Sequence, residues 1–205
     1  MTENIKWLGH SSFLIEDEKR LYIDPWKLKT CEPADIILIS HPHFDHFSIS
    51  DIRKIQKPCT TFITTDDCSK LVEGTIEILK PGEEIKIGNI RIKGFPAYNI
   101  NKDFHPRENN WLGFIITIGK KQIYYAGDTD AIPEMKFLEN IDIALMPVIG
   151  TYVMTAREAA DSANMFKPDI AIPYHWGDIV GKREDAEEFI QLFTAGKGII
   201  LDITC

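Results

Sequence analysis

Asp35-Ile36-Ile37-Leu38-Ile39-Ser40-His41-Pro42-His43-Phe44-Asp45-His46 is the stretch whose reading decides the fold. Its first half is a short apolar run rich in isoleucine, the pattern of a strand buried on both faces. Its second half packs three imidazoles and a carboxylate into six residues. Neutral imidazole and carboxylate are the ligands a borderline-soft dication such as zinc takes. A histidine-rich surface loop that binds nothing is the competing reading, and a strand ahead of the motif with a helix behind it makes that coincidence a poor one. Because the ligands begin where the strand ends, a rigid element aims them.

Towards the N-terminus, residues 5–8, 13–16 and 20–23 read as short strands, with the charged turn Asp17-Glu18-Lys19 between the last two. Towards the C-terminus, Ser48 with Asp51 three residues on is an N-cap pattern for a short helix to Gln56 that Pro58 ends. Residues 60–64 are strand-like, and Thr65 is a second N-cap signal for a helix to Val72. A meander of strands at 76–79, 83–87 and 90–95 is expected next, punctuated by Pro81-Gly82 and Gly88-Asn89. Residues 111–118 and 122–125 read as a hairpin, preceded by a polar loop over 98–110.

The pattern then turns to alternating helix and strand. Residues 141–148 read as a strand, and Thr155 with Glu158 as a capping box for a helix through Phe166. A strand at 169–174, a helix at 184–195 and a closing strand at 199–203 complete the chain. With 205 residues, no internal repeat and no linker, a single domain over 1–205 is expected, long enough to bury a core without disulfides.

A net charge of −8 argues against a broad nucleic-acid surface while leaving room for a small anionic ligand beside bound metal. Cys31, Cys59, Cys68 and Cys205 show neither zinc-ribbon nor disulfide spacing and read as reduced thiols. No leader pattern and no apolar run near the roughly 20 residues of a membrane span is present, so the expected location is the cytoplasm. Oligomeric state is not legible.

Two further metal-type residues follow apolar strands: Asp128 after Ile123-Tyr124-Tyr125-Ala126-Gly127, and His175 after Ile170-Ala171-Ile172-Pro173-Tyr174. Gly127 and Gly177 beside them permit tight turns. Strand ends carrying such residues point to one edge of the fold.

With His-x-His-x-Asp-His at 41–46, Gly-Asp-Thr at 127–129 and a late His175, the whole chain resembles the metallo-β-lactamase-fold hydrolases. Gly9-His10-Ser11-Ser12-Phe13 and Ile23-Asp24-Pro25-Trp26 make it most similar to the compact branch related to ascorbate-6-phosphate lactonase. The resemblance implies an α/β fold, a four-layer αββα sandwich with two metals at one edge. It implies that His41 and His43 bind the first metal, that Asp45, His46 and His175 bind the second, and that Asp128 bridges them. For the first metal's remaining ligand, many relatives have a histidine where this chain has Asn99. Either Asn99 or His105, six residues on, completes the set, and His105 is favoured because imidazole is the better zinc ligand.

His10 either lines the pocket or is a satisfied core histidine; Asp24 is expected to orient a ligand imidazole rather than to bind metal. Lys102, Arg107, Lys182 and Arg183 are candidates to hold a phosphate or carboxylate, or else solvated charges. Trp111 and Trp176 are candidate pocket walls, or core. The implied chemistry is hydrolysis of a small ester, lactone or phosphodiester by hydroxide bridging two zinc ions, with manganese the second choice of metal, and with Asp45 and Asp128 fixing the metals and passing a proton. A metal-stabilised module without catalysis, and an iron redox protein on the same scaffold, are the alternatives.

Overall fold

The computed structural model describes residues 2–29 and 32–204. Cys31 and Cys205 fall outside them, so the reading of those two thiols is left aside. The chain forms two compact units, residues 1–79 with 201–205, and residues 80–200.

The first unit holds a six-stranded sheet in the order β1-β2-β3-β4-β5-β6: Ile5–Gly9, Ser12–Glu16, Arg20–Ile23, Ile36–Ile39, Thr61–Thr64 and Thr75–Ile78. β1 to β3 are antiparallel, and β3 to β6 run parallel. All four residues of β4 are buried, as its unbroken apolar run requires. Ile37 and Ile39 share one core cluster with Tyr22, Phe62, Ile52 and Ile55, the last two from helix α1, Ile49–Ile55. Each such side chain contributes about 1.5–3 kcal/mol through burial.

α1 begins where sequence puts it. The Ser48 side chain accepts from the Asp51 backbone N–H, and the chain leaves the helix at Gln56. Asp51 is buried and does more than complete a cap. Its carboxylate accepts from the backbone N–H groups of Lys27 (2.9 Å) and Leu28 (3.1 Å), from Ser48 Oγ (2.7 Å) and from Lys54 Nζ (2.6 Å). Burial pushes its pKa upward, but the bonds from Lys54, Ser48 and Lys27 outweigh burial and hold the carboxyl below its usual range. Cys68 sits in the same core, and burial pushes its thiol up to about 12, so it stays protonated and inert.

Three expectations fail here. Helix α2 spans only Asp66–Ser69, because the Thr65 hydroxyl turns to the Asp67 carboxylate rather than to a backbone N–H. β6 is no part of a meander: it pairs in parallel with β5, since Pro81-Gly82 follows a change of sheet instead of closing a hairpin. The closing strand over 199–203 does not form. Its register is kept only at Lys197–Gly198, after which the chain leaves the sheet and Ile203 bridges Trp7 at the edge of β1.

The second unit holds a seven-stranded sheet in the order β13-β12-β11-β10-β9-β8-β7. These are Lys197–Gly198, Ile170–Tyr174, Ile143–Pro147, Lys121–Tyr125, Leu112–Ile118, Ile90–Pro96 and Glu84–Ile87. β7 to β10 are an antiparallel meander, and β10 to β13 run parallel. Helix α3, Ala156–Phe166, carries the expected capping box from Thr155 and Glu158 and buries Ala156, Ala159, Ala160 and Ala163, small side chains that permit close packing. Helix α4 is Arg183–Leu192. Single turns of 3-10 helix at Arg107–Asn109 and Pro133–Phe137 have no counterpart in the sequence reading.

Candidate metal centre

Parallel pairing is what gathers the first cluster. β3 and β4 run side by side with Ile23 opposite Leu38, so Asp24 and Ser40-His41 leave the same edge of the sheet. β2 runs antiparallel with Phe13 opposite Ile23, and its hairpin with β1 returns His10 to that edge. Carboxyl edges of parallel strands are where open α/β sheets place ligands.

Asp24 is fully buried. Its carboxylate accepts from the Ser40 backbone N–H (2.7 Å), from Ser40 Oγ (2.5 Å) and from His46 Nδ1 (2.7 Å). An ionised carboxylate only accepts, so Nδ1 of His46 carries the proton and Nε2 keeps its lone pair. Ser40 extends the logic: with its proton on Asp24, its oxygen accepts from His41 Nδ1 at 2.9 Å and leaves His41 Nε2 bare as well. His41 Nε2 lies 3.0 Å from His43 Nδ1. Asp45, in the turn closed by the His46 and Phe47 N–H groups on the His43 carbonyl, meets His10 Nε2 at 2.9 Å. Trp26 packs on His10 with ring centroids 5.1 Å apart. Ser11 Oγ stands 3.2 Å from His46 Nε2.

The second cluster assembles by the same rule. β10, β11 and β12 run parallel with Tyr125, Leu145 and Ile172 in register, so Asp128 and His175 emerge from one edge. The Tyr174 hydroxyl donates to the Gly127 carbonyl at 2.7 Å and ties the two turns together. Gly127 has φ +70°, and a Cβ there would stand 2.5 Å from the Leu112 carbonyl oxygen, so the turn before Asp128 needs glycine. One oxygen of Asp128 lies 3.1 Å from His175 Nε2 and 3.2 Å from His105 Nε2, and all three residues are buried. Asn99 is also buried; its side-chain oxygen accepts from the backbone N–H (3.0 Å) and Nδ1 (2.9 Å) of His105.

His10, Asp24 and His175 hold left-handed backbone at φ +48°, +45° and +68°. A side-chain-bearing residue there costs about 1–3 kcal/mol, a strain that clusters at functional sites.

The donor chemistry fits a hard or borderline dication: imidazole nitrogens with their lone pairs turned out, carboxylate oxygens and no thiolate. Donor atoms of Asp24, His41 and His46 lie within 4.8 Å of one another. Sequence reasoning missed Ser40 and Asp130. Ser40 adjoins the motif and was read only as a strand terminus; Asp130 stands two residues beyond Asp128.

Three of the four candidate anion holders are paired with carboxylates. Lys102 Nζ pairs with Asp130; Arg107 pairs with Glu134 at 2.8 Å and stacks over Tyr98, and Arg183 pairs with Glu187 at 3.0 Å. Lys182 enters α4 with its backbone N–H on Asp185. Trp111 and Trp176 are buried, and Trp111 sets its ring against His105 at 5.7 Å. A cavity of about 350 Å³ opens between Pro96, Tyr98, Arg107, Trp111 and Glu134, and none of the candidate ligands lines it. Burial and the Glu134 carboxylate raise the Tyr98 pKa.

Residues 4–175 match a sequence profile described as the beta-lactamase superfamily domain, and the chain belongs to that family. Its fold class is the αββα metallo-β-lactamase type. Among particular relatives, it is 34% identical to a metal-dependent hydrolase of Thermoplasma acidophilum over 97% of this chain and 96% of that one. It is similar to a solved candidate metal-dependent hydrolase of Parabacteroides distasonis, with 34% identity, TM-score 0.87, and 98% and 93% of the two chains covered. The fold is shared with Igni18, a metallo hydrolase of Ignicoccus hospitalis, at 22% identity, TM-score 0.82, and 98% and 95% coverage. Among the described residues, no helix is long and apolar enough to cross a membrane.

Proposed function

We propose that this protein is a metal-dependent hydrolase of a small ester, lactone or phosphodiester, with zinc as its metal and manganese the second choice. The observation that carries the reading is that one buried carboxylate, Asp24, engages Nδ1 of His46 directly and Nδ1 of His41 through Ser40, which leaves Nε2 of each as the metal-type donor. The resemblance assigns the ligands: His41, His43 and His105 would hold one metal, Asp45, His46 and His175 the other, with Asp128 shared. Bound dications supply water acidity near pH 7 and polarise the scissile carbonyl or phosphoryl oxygen.

The chain's own groups do the rest. Asp24 orients His46 directly and His41 through Ser40, which fixes the Nδ1–H tautomer and the direction of both rings. One oxygen of Asp128 lies 3.2 Å from His105 Nε2 and 3.1 Å from His175 Nε2, and Asp45, hydrogen-bonded to His10, or Asp128 would pass a proton to a leaving group. The charge of −8 favours a small substrate over a nucleic acid.

Replacing Asp128 or His46 with Ala is expected to lower metal content on elemental analysis and to cut turnover of generic lactone and phosphodiester substrates by at least about 100-fold, the upper end seen for losing a mere outer-shell partner. Reduced metal with unchanged turnover refutes the assignment. Two irons and a visible absorption band would move the protein to the redox class. We further propose one domain over 1–205, supported by a family match that runs through both units. Calorimetry is expected to give a single transition with equal calorimetric and van't Hoff enthalpies.

A further inference from the structure

The resemblance implies a histidine where Asn99 stands, and the surroundings of Asn99 fix what it does instead. Its side-chain oxygen faces a backbone N–H, that of His105, at 3.0 Å. Its side-chain nitrogen faces two acceptors, Asp130 Oδ1 at 3.1 Å and the Tyr152 carbonyl at 2.9 Å. Reversing the amide would set donor against donor and acceptor against acceptor, so its orientation is unambiguous. The same oxygen lies 2.9 Å from His105 Nδ1, which must therefore carry the proton. Neutral His105 then turns the lone pair of Nε2 toward Asp128, 3.2 Å away. Two acceptors at that distance repel unless a cation lies between them or the ring is protonated.

Asn99 is itself held. Asp130 is buried; besides Asn99, it accepts from the Ile100 backbone N–H at 2.9 Å and from Lys102 Nζ, and that ammonium also donates to the Val153 carbonyl at 3.0 Å. Asp130 leaves the sheet edge two residues after Asp128, so the scaffold that sets the shared carboxylate also sets the clasp.

We infer that Lys102, Asp130 and Asn99 form a clasp that closes the 99–105 loop and fixes the Nδ1–H tautomer of His105, making a loop histidine into a ligand aimed beside Asp128. Asn99 is thus a positioning residue, and Lys102 serves the loop rather than a substrate anion. This rests on the reading of His105 as a metal ligand.

The test compares full-length Asn99→Ala, Asp130→Asn and Lys102→Met with His105→Ala. Side-chain ¹⁵N NMR of the metal-free protein reads the His105 tautomer, and competition with a chromophoric chelator reads zinc affinity. Wild type is expected to show the Nδ1–H form. Asn99→Ala is expected to lose that preference and to weaken zinc binding by about 10–100-fold, the range for outer-shell partners. Asp130→Asn, which keeps the shape, is expected to shift both readouts in the same direction by less, and carries the test should Asn99→Ala fail to fold. Lys102→Met is expected to shift them least. Wild-type affinity in Asn99→Ala beside weakened binding in His105→Ala overturns the clasp alone. Wild-type affinity in His105→Ala overturns the ligand reading and the clasp with it.

Discussion

The two clusters solve one problem by opposite means. In the first unit four candidate ligands stand on a single hexapeptide, and a buried carboxylate from the neighbouring strand wires two of them, His46 directly and His41 through one serine. In the second unit the residues come from positions 105, 128 and 175, and each needs its own device: a clasp for His105, a glycine turn for Asp128, left-handed backbone for His175. A contiguous motif concentrates its dependence on one supporting residue. A dispersed one spreads it over several.

The largest effect that can break this contrast is Asp24→Ala in the first unit. It strips partners from Ser40 and His46 at a fully buried position, and a loss of about 3–5 kcal/mol in unfolding free energy of the metal-free protein is expected in denaturant titration. A loss under 1 kcal/mol would show that the wiring carries no stability. Next is Gly127→Ala in the second unit, where left-handed backbone and the Leu112 carbonyl both oppose a Cβ. A cost of about 1–3 kcal/mol is expected, with His105 and its clasp left in place.

Smaller still is Asp51→Asn, which sharpens the contrast by testing a buried carboxylate of the first unit remote from metal chemistry. A loss of about 1.5–3 kcal/mol at pH 7 is expected from its bonds to Lys54, Ser48, Lys27 and Leu28. Because the folded pKa is depressed, this stability is fully present above the unfolded value of about 3.9 and is lost as pH falls through the lower folded value. Chemical unfolding of wild type and variant should therefore converge in acid. A constant difference across pH would assign the effect to packing.

The contrast also explains what could be read from the chain alone. Residues 35–46 announce themselves because strand period and ligand chemistry are local, and Thr155 with Glu158 does so because a capping box spans one turn. The clasp was invisible for the converse reason: Asn99 and Asp130 meet only after β9 and β10 have folded between them. β6 was misplaced because its alternating, half-exposed pattern fits either sheet equally well, and the tail failed as a strand because its partner is the far end of the chain. Left-handed φ at His10, Asp24 and His175 carries no sequence signal, since only a few per cent of residues other than glycine adopt it.

The bridge between Ile203 and Trp7 has a consequence for birth of the protein on the ribosome. β1 is made about 200 residues ahead of the segment that bridges it, or on the order of ten to forty seconds at roughly 5–20 residues per second. Throughout that interval an open strand edge is offered to any passing nascent chain. The hazard of association therefore lies in the making of this molecule, at this edge strand.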